Sequence, residues 1–224
     1  MMNWQTNNGE KRGYLALPAS GEGPGILVLH AWWGLTEMFT DLCDRLAEAG
    51  FIAFAPDMFE EQTAQTIAQA ENLVGTSDDD AVQRIVVSAV DFLREQSGVR
   101  GDKIGVIGFS FGAAWALLAA TVFNAADIAA VVLFYGNHGG LDGDDFAKAE
   151  AAFLGHYAEN DPYEPTEYTE EMLAEIKKGG KEVEFHFYPG TGHWFMESNR
   201  PDAYQAEAAE LAWERTLAFL QARL

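Results

Sequence analysis

An apolar run that meets a Gly-x-Ser-x-Gly turn and passes straight into an alanine-rich stretch is accepted by few folds. In this chain it reads Gly105-Val106-Ile107-Gly108-Phe109-Ser110-Phe111-Gly112, followed by Ala113-Ala114-Trp115-Ala116-Leu117-Leu118. The pattern predicts a buried strand, a sharp turn and a helix. Glycines on either side of the serine remove Cβ atoms where strand and helix would otherwise collide, and the turn holds the serine in strained geometry with Oγ raised above the sheet. The helix N-terminus beneath it favours developing negative charge and would offer the Phe111 N–H to an oxyanion. A glycine-rich connection without chemistry is the plainer alternative for so short a motif. The strand before it and the helix after it argue for the catalytic reading.

The rest of the chain alternates in the same way, which points to an α/β domain with a mostly parallel sheet. Strands are predicted at Tyr14 to Leu17, Ile26 to Leu29, Ile52 to Ala55, Ile104 to Gly108, Ala129 to Tyr135, Ala152 to Tyr157 and Val183 to Tyr188. Several are unbroken apolar runs, as strands covered on both faces should be. Helices are predicted at Glu37 to Ala49, Thr63 to Leu73, Asp79 to Glu95, Phe111 to Val122, Thr166 to Lys178 and Asp202 to Arg223. Gly50 and Gly179-Gly180 supply stop signals, and Asp78 to Asp80 supply a start signal. No repeat or linker divides the chain, so one domain over residues 1–224 is expected.

In such a sheet chemistry gathers beyond the carboxyl ends of the strands. A serine hydroxyl needs a base to take its proton and a carboxylate to orient that base. Asp161, in Ala158-Glu159-Asn160-Asp161-Pro162, follows the strand ending near Tyr157; His193, in Pro189-Gly190-Thr191-Gly192-His193-Trp194, follows the strand ending at Tyr188. The order Ser110, Asp161, His193 is that of the α/β-hydrolase fold, with helices on both faces of the sheet. A cap on the helix from Thr166 is the bland reading of Asp161. His156 and His186 fall inside strands. His30 ends the Ile26 to Leu29 strand and is expected to brace the following loop, and His138 could touch substrate or lie in a solvated loop. Trp32, in His30-Ala31-Trp32-Trp33-Gly34, is the candidate for the second oxyanion N–H. Trp33, Phe109, His138 and Trp194 are the candidate pocket walls, core filling being the competing role for such aromatics.

Composition narrows the partners. Thirty-five acidic residues against fourteen basic ones give a formal charge of −21, which disfavours nucleic acid and anionic lipid. No apolar run approaches the roughly 18 residues of a membrane span. The first eight residues, Met1 to Asn8, are polar and lack the features of a signal peptide, and the single cysteine cannot form an internal disulfide. Together these features favour the cytoplasm. Phe39, Leu42, Cys43 and Leu46 share one helical face, so Cys43 reads as a packing thiol.

The chain resembles the dienelactone hydrolase family over nearly its whole length. The similarity runs through Gly13-Tyr14-Leu15-Ala16-Leu17-Pro18, Val28 to Leu35, Leu46 to Phe51, Ala55-Pro56-Asp57, the serine turn, Phe134-Tyr135-Gly136, the Asp161 loop and Gly192-His193, and returns at Arg200 to Tyr204 and Ala212 to Thr216. The resemblance implies hydrolysis of small esters or lactones through an acyl-enzyme, without metal or organic cofactor. Acyl transfer or peptide cleavage by the same residues, and a non-catalytic binding role, are the competing functions. Familiar members carry cysteine where this chain has Ser110, glutamate where it has Ala31, and a carboxylate-binding arginine where it has Glu197. These departures argue against dienelactone itself, and with the net charge they predict a preference for neutral esters over carboxylate-bearing ones.

Overall fold

The computed structural model describes residues 1–6 and 9–224; Asn7 and Asn8, part of the polar N-terminal stretch, lie outside the described residues. Eight strands form one sheet in the order β1-β2-β4-β3-β5-β6-β7-β8. They are β1 (Met2–Thr6), β2 (Gly9–Ala16), β3 (Gly23–Leu29), β4 (Ile52–Pro56), β5 (Val99–Phe109), β6 (Ile128–Phe134), β7 (Ala152–Ala158) and β8 (Val183–Tyr188). From β4 through β8 neighbouring strands are parallel, and β1 and β2 add an antiparallel edge. Helices α1 (Glu37–Glu48), α2 (Ile67–Thr76), α3 (Asp79–Arg94), α4 (Phe111–Leu118), α5 (Gly143–Lys148), α6 (Thr166–Lys178) and α7 (Ala206–Arg223) surround it.

Burial follows from the unbroken apolar strands. Residues Ile26 to Leu29 are fully buried, and the two faces of the sheet feed two separate cores, one under α1 and α7 and the other under α3 and α4. Ile26 and Val28 point into the first, Leu27 and Leu29 into the second, as a period of two requires. Cys43 packs in the first core and is fully buried, and burial pushes its thiol far above the ordinary range, in keeping with an inert packing role.

Four departures from the predicted elements have physical reasons. β1 is polar in sequence and is held by Trp4, which is buried against Phe54 and Phe92. α2 starts at Ile67 rather than near Thr63, because Thr66 and Gln69 close a reciprocal capping box. α5 was not expected, and it is nucleated by Asp142, whose carboxylate accepts from the Asp144 and Asp145 amides. Beyond Leu118 the predicted helix widens into a π-turn over Ala119–Phe123. Among the described residues no helix is long and apolar enough to cross a membrane.

Candidate active site

Ser110 stands between β5 and α4 with φ of 49° and ψ of −111°, a left-handed conformation that a serine adopts only under constraint. The constraint is visible. The Ser110 amide donates to Phe134 O at 2.9 Å, and α4 presses against the end of β3 so closely that a Cβ on Gly112 would lie 2.2 Å from Leu29 O. The turn is therefore clamped between β6 and β3 and cannot relax without separating them. Phe111 is the first residue of α4, so its N–H belongs to the turn of amides without an intrahelical acceptor.

Asp161 and His193 lie beyond the carboxyl ends of β7 and β8, as their sequence positions predict. The two loops are laced together. Asn160 N donates to Thr191 O at 2.9 Å, and the Gly190 amide donates to Glu159 Oε2 at 2.8 Å. Asp161 Oδ1 accepts from the amides of Tyr163 and Glu164 at 2.9 and 3.0 Å, while Oδ2 is 2.7 Å from His193 Nδ1. His193 Nε2 is in turn 2.9 Å from Ser110 Oγ. Asp161 does not cap α6, whose N-cap is Pro165 without a side-chain bond. The His193 and Asp161 side chains are only 3% and 2% exposed, so their contact is shielded from water.

The remaining histidines separate cleanly. His30 is buried, with Nδ1 2.8 Å from Ala31 O and Nε2 accepting from the Met58 amide at 3.0 Å, which braces the loop as expected. Burial holds its imidazole below the ordinary range, so it is neutral. His156 bonds Tyr188 and Thr216 inside the core, with His186 stacked beside it.

The aromatic positions divide. Trp194, Trp32 and Trp33 pack edge-on or tilted against one another, and Trp194 meets the His193 ring at a centroid distance of 5.1 Å. Trp33 is 1% exposed and lies under the Arg200 guanidinium, 3.1 Å from its ring centroid. Phe109 corrects the expectation of a pocket wall: it is fully buried and stacks on Phe134 at 4.5 Å in the core. Phe109 ends β5 one step before Ser110, and its side chain turns into the core under α1 and α7. Phe195 is likewise fully buried.

His138 lines a cavity of about 460 Å³ beside the Asp161 loop, and its Nδ1 is buried without a hydrogen-bond partner.

Sequence reasoning missed Tyr163 and Tyr135 as neighbours of His193, and the bond that ties Tyr135 to Glu197. The Tyr163 ring lies 5.0 Å from that of His193; its place two residues after Asp161 was the available signal. Tyr135 directly follows β6, with φ of 38°, and its ring is 4.9 Å from His193 on another side. Its hydroxyl donates to Glu197 Oε1 at 3.0 Å. Glu197 is completely buried, which pushes its carboxyl up to about 8 against the pull of Tyr135 and Arg200. Burial thus favours its protonated form, and the side chain faces the interior. The position at which carboxylate-binding relatives carry arginine is thus held by a glutamate buried against Tyr135, and the cation nearby is Arg200, over Trp33.

A mostly parallel sheet with a strained serine after its fifth strand, and with aspartate and histidine loops beyond later strand ends, defines an α/β-hydrolase. The chain belongs to the dienelactone hydrolase family, whose model matches residues 12–224. It is 33% identical to protein usf of Aquifex pyrophilus over 99% of this chain and 97% of that one. It is 34% identical to a protein of a Bradyrhizobium species named "Probable 2-oxo-3-(5-oxofuran-2-ylidene)propanoate lactonase", over 96% of this chain and 90% of that one. In fold it is similar to a dienelactone hydrolase-like promiscuous phosphotriesterase from metagenomic libraries, with a TM-score of 0.87, 22% identity, and coverage of 99% and 96%. The protein is accordingly a hydrolase of esters or lactones.

Proposed function

We propose that Ser110, His193 and Asp161 form a catalytic triad that hydrolyses small carboxylic esters or lactones through an acyl-enzyme on Ser110. The observation that carries this reading is the unbroken chain of contacts, Ser110 Oγ to His193 Nε2 at 2.9 Å and His193 Nδ1 to Asp161 Oδ2 at 2.7 Å. With Nδ1–H donating to the carboxylate, Nε2 keeps a lone pair for the serine proton. Oγ attacks the acyl carbon as Nε2 takes that proton. The negative charge passes to the carbonyl oxygen, which the Phe111 and Trp32 amides receive. Collapse breaks the ester C–O bond, and the imidazolium returns its proton to the departing oxygen. In a lactone that oxygen stays tethered to the acyl group. Water then repeats the cycle against the acyl-enzyme, with His193 as base, and frees the acid and Ser110.

The burial of Asp161 and His193 supports this reading, because an imidazolium formed in a shielded site interacts more strongly with its carboxylate than in water. The strain at Ser110 supports it too, since a serine held at positive φ in the sharp turn between β5 and α4 is the geometry that a nucleophile elbow requires.

The test is a mutant cycle. Ser110→Ala and His193→Ala should each lower kcat on a neutral phenyl ester by about 10⁴-fold or more, and the double variant should cost little beyond either, because the three side chains act as a unit. A folded Ser110→Ala protein with near-normal turnover would end the proposal.

A further inference from the structure

Two of the segments that frame the catalytic contacts diverge into one cavity. The chain after β6 passes so close to the nucleophile that a Cβ on Gly136 would lie 2.5 Å from Ser110 O, and it continues as Asn137 and His138 along the cavity wall. The Asp161 loop continues as Tyr163 and Glu164 along the opposite wall, and α6 closes the cavity with Tyr168 and Glu171. The first wall is tied to α6, since Asn137 Nδ2 donates to Tyr168 O at 3.4 Å. The cavity is open to solvent on one side, and its volume of about 460 Å³ suits a small-molecule fragment. Tyr163 lines this cavity and also rests against His193, ring centroids 5.0 Å apart, so one side chain links the cavity to the catalytic contacts.

The wall chemistry has one sign. Its charged side chains are Glu164, Glu171 and Glu175, and among the described residues no lysine or arginine lines it. Glu175 is already paired with Lys178 and with the Gly143 amide, which leaves Glu164 and Glu171 facing the space. Tyr163 and Tyr168 are 41% and 56% exposed, so their rings are accessible to a ligand from the cavity. His138 adds a buried Nδ1 with no protein partner. Carboxylates with aromatic faces attract a cation and repel an anion. Arg200 lies over Trp33, outside the cavity.

We propose that this cavity is the specificity pocket of the hydrolase and that it takes the ammonium end of a cationic ester or lactone, held by Glu164 and Glu171 and the faces of Tyr163 and Tyr168. The inference rests on the triad proposed above. A primary ammonium can also donate to His138 Nδ1, whereas a quaternary one relies on the rings and carboxylates alone. The groups that face Glu164 are Asp161, Tyr157 and the Asn137 amide, with Glu171, Glu175 and His138 across the space. Burial first, and the Asp161 charge second, push the Glu164 carboxyl up to about 7. A bound cation favours its ionised form, so selectivity for cations rises with pH through neutrality.

The test compares matched substrates on the full-length protein. Phenyl β-alaninate against phenyl butyrate places the charge on the acyl side, and acetylcholine against 3,3-dimethylbutyl acetate places it on the alcohol side. The ratio of kcat/KM, cationic over neutral, should reach about tenfold in at least one pair at pH 8, and be smaller at pH 6. Glu164→Gln should collapse that ratio, and Glu171→Gln, at an exposed position, should lower it even if the first variant folds poorly. Ratios no higher than about twofold in both pairs, or a ratio unchanged in both variants, would overturn the inference. Hydrolysis of the neutral esters by wild type and by Ser110→Ala reports separately on the triad: equal rates would mean that the parent reading itself fails.

Discussion

Glu197 carries an ionisable group into the core, where the attraction of Arg200 offsets only part of the cost of burying its charge. Its carboxyl is fully buried, one oxygen accepts from Tyr135, and the other is without a hydrogen-bond partner. Protonation removes the cost of the buried anion, and the raised value of about 8 expresses that. The folded state then holds a proton that the unfolded chain releases near the usual glutamate range. Its contribution to stability is full below about pH 4.5 and is lost as pH rises toward 8, by about 1.4 kcal/mol for each pH unit between those limits. Glu197→Gln keeps the acceptor for Tyr135 and has no proton to lose. Urea unfolding at pH 5 and pH 8 should therefore show wild type losing on the order of 3 kcal/mol relative to the variant. Parallel losses in the two proteins would mean that Glu197 is ionised in the fold.

At the scale of elements, the junction of β3, β5 and α4 decides whether the serine is usable. Gly112 is required there by space, since a methyl group would meet Leu29 O at 2.2 Å and His30 O at 2.6 Å. Gly112→Ala must push α4 away from β3, which carries the Phe111 amide with it. The expected result is a loss of about 1–3 kcal/mol in stability and a fall in kcat of about 10²-fold with a smaller change in KM, read by urea unfolding and steady-state kinetics. Full stability with full kcat would show that the two elements can part without consequence for the turn.

The same scale explains what the sequence disclosed. Ser110, Asp161 and His193 were legible because each lies in the loop after a strand, and parallel topology brings such loops to one edge of the sheet. Phe109 was misread because a strand buried on both faces has no polar alternation to say which side a residue takes. β1 was missed because its burial depends on Trp4 alone among polar neighbours, and α5 because six residues give little periodicity beyond the Asp142 cap. The Tyr135–Glu197 bond joins positions 62 residues apart, a contact that only the folded chain creates.

At the scale of the whole molecule, a formal charge of −21 is carried mostly by an exposed surface, where ion pairs such as Arg45–Glu210 and Arg84–Asp78 contribute little to stability. The fold instead rests on two apolar cores that hold the sheet rigid, and on that frame the loops after β5, β7 and β8 set Ser110, Asp161 and His193 in hydrogen-bonding order. The central claim is that this order makes Ser110 alone nucleophilic. Its most direct measurement is intact-protein and peptide mass spectrometry after reaction with a fluorophosphonate, run alongside ester hydrolysis. One phosphonyl group should appear on Ser110, in step with loss of activity, and labelling should be abolished in Ser110→Ala and strongly slowed in His193→Ala. Undiminished hydrolysis after stoichiometric labelling of Ser110, or inactivation that maps to another residue, would contradict it.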